Sequence, residues 1–261
     1  MSNKTQPSTR LATHTNDELY YRDDPVVAEL MGNVSFTEAM FMHVIGRKPT
    51  PGEVTILDAV LVTLMEHGLT PSVIAARLTY HSAPEALQAA MAAGLLNVGS
   101  QFIGTMENAA KLLVALLDEE DGFEPAARRA VKALRETKQP LPGFGHHLHK
   151  PDDPRTPRLF EIALAQEGIE GKYIDAMKRL SAIVDDELGR HLTINATGAV
   201  AAVLLEIGVE PDIMRGFAVV SRAGGLLAHI REEHENPTAR HIWDVVEETV
   251  PYVGDAPIEK G

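Results

Sequence analysis

The stretch from Leu141 to Arg155 holds the densest set of groups in the chain that could do chemistry. Gly143 and Gly145 lack a Cβ, so the backbone around them can approach a bound molecule closely. His146 follows at once, with a ring that donates or accepts a proton near neutral pH. Arg155 presents a planar fork of donors that matches a carboxylate. Pro142, Pro151 and Pro154 stiffen the path between them. The segment therefore reads as a binding loop for an anionic ligand with an acid–base group beside it. His147 and His149 admit a three-histidine metal site with His146, but their spacing favours surface neighbours, and no metal is expected. Asp152 and Asp153 read as residues that cap or turn the loop.

Helices must hold such a loop. Residues 52–67 place Val54, Leu57, Val60, Leu61 and Leu64 at three- and four-residue spacing and end near Gly68, which predicts a helix closed by a glycine. The same periodicity predicts helices over 85–97, 106–119, 124–137, 157–168, 170–187, 196–208 and 211–234. Pro71, Pro84, Pro125, Pro157 and Pro211 fall at or near helix starts, where a missing N–H matters little. Few period-2 runs compete, so the fold is predicted to be mainly α. Alanine-rich runs at 89–93 and 196–202 suggest closely packed helices, and long apolar helices with small faces favour an obligate dimer. We expect an N-terminal arm over 1–24, a large helical part built from 25–140 and 209–261, and a smaller part over 141–208 that carries the loop. A cleft between parts that close on substrate is the usual home for such a site.

Composition limits the function. Thirty-seven acidic against 24 basic side chains give a net charge of −13, which argues against nucleic acid and anionic membranes as partners. The absence of cysteine excludes disulfides and thiolate chemistry and fits a reducing compartment. Residues 1–16 are polar and no later stretch is apolar for long enough to span a bilayer, so a soluble, cytoplasmic protein is expected.

Several runs together resemble the citrate synthase superfamily. Pro142-Gly-Phe-Gly-His146 with Asp153-Pro-Arg155 is similar to the family's loop that grips a coenzyme A thioester and a carboxylated partner. Glu66-His67-Gly68 with Ala75-Ala-Arg77 resembles the segment whose histidine bonds the keto-acid half, and Ser221-Arg222 through Ala228-His229 resembles the helix whose arginine binds a substrate carboxylate. Ala239-Arg240-His241 occupies the place of the arginine that reaches a neighbouring subunit's site, and Gly94 to Gly104 is similar to a turn found in short citryl-CoA lyases and in the C-terminal domain of ATP-citrate lyase. The resemblance covers about residues 30–254 and implies a citrate synthase-like helical fold with a smaller lid part.

On that resemblance His67 and His146 are catalytic. Arg155, Arg222 and Arg240 bind carboxylates, and Asn195, Thr197 and Phe102 line the substrate. Pro142, Gly143, Phe144 and Gly145 contact coenzyme A, which enters as a substrate ester, with no tightly bound cofactor. The chain departs from the pattern twice. Phe102 stands where citrate synthases carry an enol-binding histidine, with His81 as the nearest available substitute, and Thr197 stands where the family has a catalytic aspartate. A threonine hydroxyl cannot take a proton from an acetyl methyl group at neutral pH. The implied function is a citryl-CoA lyase with altered catalytic residues, working as a homodimer or higher homo-oligomer on a CoA thioester and a small carboxylate or keto acid. A citrate synthase-like enzyme for another acyl-CoA or β-diketone, and a non-catalytic CoA-binding paralogue, are the alternatives.

Overall fold

A computed structural model describes residues 7–101, 103–146 and 148–255. It is mainly helical. In chain order the described residues form three short strands, β1 (Ala12–His14), β2 (Leu19–Tyr21) and β3 (Asp24–Pro25), followed by helices α1 (Phe36–Ile45), α2 (Pro51–Met65), α3 (Pro71–Ser82), α4 (Leu87–Leu96), α5 (Thr105–Leu117), α6 (Phe123–Glu136), α7 (Arg155–Leu164), α8 (Lys172–Leu188), α9 (Ala196–Glu206), α10 (Met214–Glu235) and α11 (Ala239–Thr249). No helix of the described residues is long and apolar enough to cross a membrane.

The chain divides into two compact units, one of Met1–Thr63 with Thr105–Arg215, the other of Leu64–Gly104 with Gly216–Gly261. These boundaries do not coincide with the three parts expected from the sequence. Segment 141–208 lies in the same unit as 105–140, because its helices pack on those just before it. The expected N-terminal arm includes an antiparallel meander in which Ala12 faces Tyr21 and Tyr20 faces Pro25.

In the first unit α9 is the central element and packs against α5, α7 and α8. Residues Ala199 to Leu205 of α9 are all buried, so the helix is apolar on every side, as a helix enclosed by others must be. Its alanines let neighbouring backbones come near. Glu206, at the last turn of α9, accepts the amide protons of Gly171 (3.1 Å), Tyr173 (2.6 Å) and Ile174 (3.0 Å) and so satisfies the orphan donors that open α8. In the second unit Val73 and Ala76 of α3 and Leu226 of α10 form a buried cluster with Met91 and Leu95 of α4 packed against it.

Several helix ends differ from the periodicity by up to four residues, as where α7 closes at Leu164 rather than at 168, and three of them have a visible cause or form. α2 stops at Met65 rather than reaching residue 67, because the Glu66 carboxylate takes the His67 and Gly68 amides at 2.8 and 2.6 Å. α7 begins at Arg155, two residues early, because Asp153 receives the Arg155 amide at 3.1 Å. Residues 211–213 form a 3-10 turn ahead of α10. Periodicity does not single out α1, α3 or α11, and the start of α1 is marked instead by the reciprocal capping box of Ser35 and Glu38.

The loop that carries Gly143 rests on the first turn of α9. A Cβ on Gly143 would come within 2.9 Å of Gly198 Cα, and one on Gly198 would overlap the Gly143 carbonyl. Gly198→Ala should therefore destabilise the protein by about 1–3 kcal/mol through overpacking, read as a lower urea midpoint. Gly99→Ala, whose new methyl meets nothing within 4 Å, should leave the midpoint unchanged.

Candidate active site

In the first unit the loop is held as an extra bridge on the segment before α9. Phe144 pairs with Ile194, the Gly145 amide donates to Thr193 O (2.8 Å), and the Asn195 amide donates to Gly143 O (3.0 Å). The Phe144 amide donates to Leu141 O at 3.2 Å. Two of the loop amides expected to face coenzyme A are thus engaged inside the chain, while Pro142 keeps partial exposure. Asn195, expected to line the substrate, caps α9 through Oδ1 to the Gly198 amide (3.1 Å) and donates Nδ2 to Gly145 O (2.9 Å).

Thr197 donates its hydroxyl to Asn195 Oδ1 at 2.7 Å, so the Thr105 hydroxyl, 2.8 Å away, is the donor to Thr197. The direction of this chain follows from Asn195 Oδ1 being able only to accept. His146 uses Nδ1 to accept the amides of Leu148 (3.1 Å) and His149 (3.0 Å), which puts its ring proton on Nε2. The His149 ring lies beside it, with centroids 4.5 Å apart. Phe102 and His147 lie outside the described residues. His81 is exposed and Glu107 is paired with Arg215 at 2.5 Å.

Arg155 does not present its whole fork to the outside. Its Nε and Nη2 bind Asp153 at 2.9 and 2.8 Å, and Asp153, with no exposed surface, also accepts the Ala196 amide at 3.1 Å. Burial pushes the Asp153 carboxyl up, but the Arg155 guanidinium and the Arg155 and Ala196 amides outweigh it and hold the group below the usual carboxylate range. Asp153, expected only to cap or turn the loop, is thus the centre of its anchorage. No local pattern distinguishes it from Asp152, which bonds His191 at 3.0 Å on the surface.

In the second unit His67 sits in the turn after α2, half-buried, and Arg222 lies on α10 with 6% of its surface exposed. Nη1 of Arg222 is buried and has no hydrogen-bond partner among the described residues. Burial lowers the Arg222 pKa, and the nearby Glu66 charge opposes that shift. A buried, incompletely paired guanidinium suits a small anion. Arg240 is exposed on α11, bonded to Asp244 at 2.9 Å and stacked over Trp243.

The fold is helical, with a glycine–histidine loop in the first unit and a buried arginine on a long helix of the second. The chain belongs to the citrate synthase family: residues 8–243 match the C-terminal domain of citrate synthase. A citryl-CoA lyase from Hydrogenobacter thermophilus is 32% identical and superposes with a TM-score of 0.84 over 97% of each chain. Citrate synthase 2 of Bacillus subtilis is 29% identical over 193 residues, 73% of this chain and 50% of the relative. The ATP citrate lyase from Methanothrix soehngenii, in complex with citrate and coenzyme A, shares the fold at a TM-score of 0.80 and 17% identity, over 98% of this chain and 43% of that one. The chain spans about half the length of the curated relatives it matches.

The depressed Asp153 pKa sets a pH dependence. Its contribution to stability is present above the pKa of an unfolded aspartate and is lost as pH falls through the lower folded value. Asp153→Asn should remove about 1–3 kcal/mol at pH 7, by leaving the partly buried Arg155 and the loop amides without their acceptor, and should flatten the acid limb of a urea-midpoint profile between roughly pH 2 and 5. An unchanged midpoint at pH 7 would contradict the anchoring role.

Proposed function

We propose that this chain is a CoA-thioester carbon–carbon lyase of the citryl-CoA lyase type, releasing acetyl-CoA and oxaloacetate, and that it works as a homodimer. The observation that carries this reading is Arg222, a buried guanidinium with Nη1 unpaired among the described residues, on the helix where the family binds a substrate carboxylate. Coverage of 97% in both directions against the Hydrogenobacter citryl-CoA lyase supports it.

Cleavage needs the substrate hydroxyl to lose its proton, the bond between the carbinol carbon and the thioester methylene to break, and the electrons to reach the thioester carbonyl as an enolate. His146 carries its proton on Nε2 and so enters as a donor that polarises an oxygen. His67 is then the group for the hydroxyl proton. Arg222 binds one carboxylate of the acid half, with Arg155 and a partner subunit's arginine equivalent to Arg240 as further carboxylate ligands. Pro142, Gly143, Phe144 and Gly145 border the coenzyme, and the enolate takes its final proton from water. Thr197 plays no part in proton transfer, since its hydroxyl proton is committed to Asn195.

That last observation favours a second reading, in which the chain handles a different acyl-CoA or binds CoA without turnover. Two measurements separate the readings. Purified protein given citryl-CoA should yield acetyl-CoA and oxaloacetate, with His146→Ala slower by about 10²–10⁴. No turnover above that variant, together with calorimetric binding of CoA, selects the second reading. Thr197→Ala should leave the cleavage rate within about threefold, whereas Thr197→Asp, by adding a base, should raise solvent-deuterium exchange into the acetyl-CoA methyl group at least about tenfold.

A further inference from the structure

Residues 222, 225 and 229 recur at three- and four-residue spacing, so they share one face of α10. Glu66 lies against that face. Its Oε2 is 2.9 Å from His229 Nε2 and 3.0 Å from where a Cβ on Gly225 would sit, and its charge acts on Arg222. Gly225 is required there, since a Cβ would also overlap the Met65 carbonyl. The other oxygen, Oε1, holds the amides of His67 and Gly68 at 2.8 and 2.6 Å.

His229 is itself fixed from behind. Arg77, with 1% of its side chain exposed, points Nε and Nη2 at His229 Nδ1 at 3.2 and 2.8 Å. An arginine has no acceptor, so Nδ1 must accept and the ring proton must sit on Nε2, aimed at Glu66. Arg77 is held in turn by Glu232 and by Glu233, at 2.9 Å from Nη1, and Glu233 accepts the Ala239 amide that opens α11. The order Arg77 to His229 to Glu66 therefore has one direction of donation.

We propose that Glu66 is a positioning residue, whose two oxygens fix the His67 turn on one side and set the charge beside Arg222 on the other, with His229 and Arg77 holding it in register. The proposal rests on the reading of His67 and Arg222 as substrate-binding groups for a small dicarboxylate or keto acid. A carboxylate is needed because both oxygens accept. In Glu66→Gln the amide has one acceptor and one donor, so either the two turn amides or the His229 N–H must face a donor. The His229 proton cannot move to Nδ1, because Arg77 occupies that side.

The test uses the full chain labelled with 15N. In the wild type the His229 ring should be the Nε2–H tautomer, and the His67 and Gly68 amides should exchange slowly. Either a Nδ1–H tautomer or unprotected amides in the wild type overturns the proposal without any variant. In Glu66→Gln the exchange of the His67 and Gly68 amides should rise at least about tenfold, or the His229 nitrogen shifts should change. Loss of the negative charge beside Arg222 should tighten oxaloacetate binding by calorimetry about 3–10-fold, while kcat for citryl-CoA falls. Unchanged exchange and unchanged His229 shifts in a folded Glu66→Gln protein overturn the proposal. If those signals change as expected but neither protein binds oxaloacetate nor cleaves citryl-CoA, Glu66 positions the turn and the lyase reading is the one that fails.

Discussion

Asp153 has no exposed surface, and a charge there is stable only because every face of the carboxylate meets a donor. Arg155 supplies two side-chain contacts and an amide, and Ala196 supplies another amide from the first turn of α9. One buried group thereby fixes where α7 starts, where α9 starts and how the loop before α7 meets both. The stacking of Gly143 on Gly198 and the bridge from Phe144 to Ile194 depend on that anchorage, since both need the loop held directly over the α9 terminus. The orientation of His146 is a further consequence, because its Nδ1 caps the amides of the same loop.

The second unit solves a similar problem with the opposite charge. Arg77 is buried, and Glu232, Glu233, His229 and Thr238 surround it. Its hydrogen bonds reach Glu233, which accepts the amides that open α11, and through His229 they reach Glu66, which accepts the amides of the turn after α2. In both units a buried ion is tolerated where it organises helix ends, which is where backbone donors are left without partners. Arg222 departs from this pattern: it is buried, feels the charge of Glu66 and keeps Nη1 unsatisfied among the described residues. That imbalance is why a ligand carboxylate is the natural complement, and why the charge of Glu66 tunes it.

Thr197 is held entirely within the chain at the start of α9. Asn195 caps α9, and Thr197 two positions on joins a hydrogen-bonded chain that runs from Thr105 to Asn195. A hydroxyl so held stabilises the helix terminus. It offers no proton acceptor of useful basicity.

The helical class, the approximate helix positions and the family were legible in the sequence, because three- and four-residue spacing and short motifs are local properties. Gly68 and the proline positions marked helix ends to within a few residues for the same reason. What Asp153, Asn195, Thr197 and Arg77 do with their polar atoms was not legible, since each has a partner far along the chain: Asp153 meets Ala196 across 43 positions, Asn195 meets Gly145 across 50, Thr197 meets Thr105 across 92 and Arg77 meets His229 across 152. Asp152 and Asp153 are adjacent and identical in type, yet one is solvated and the other buried. Composition determined that helices would form and which side chains could bind an anion. Only the tertiary structure decided which of those side chains were already spent on the protein's own charges, because burial and hydrogen-bond partners are set by packing between distant segments.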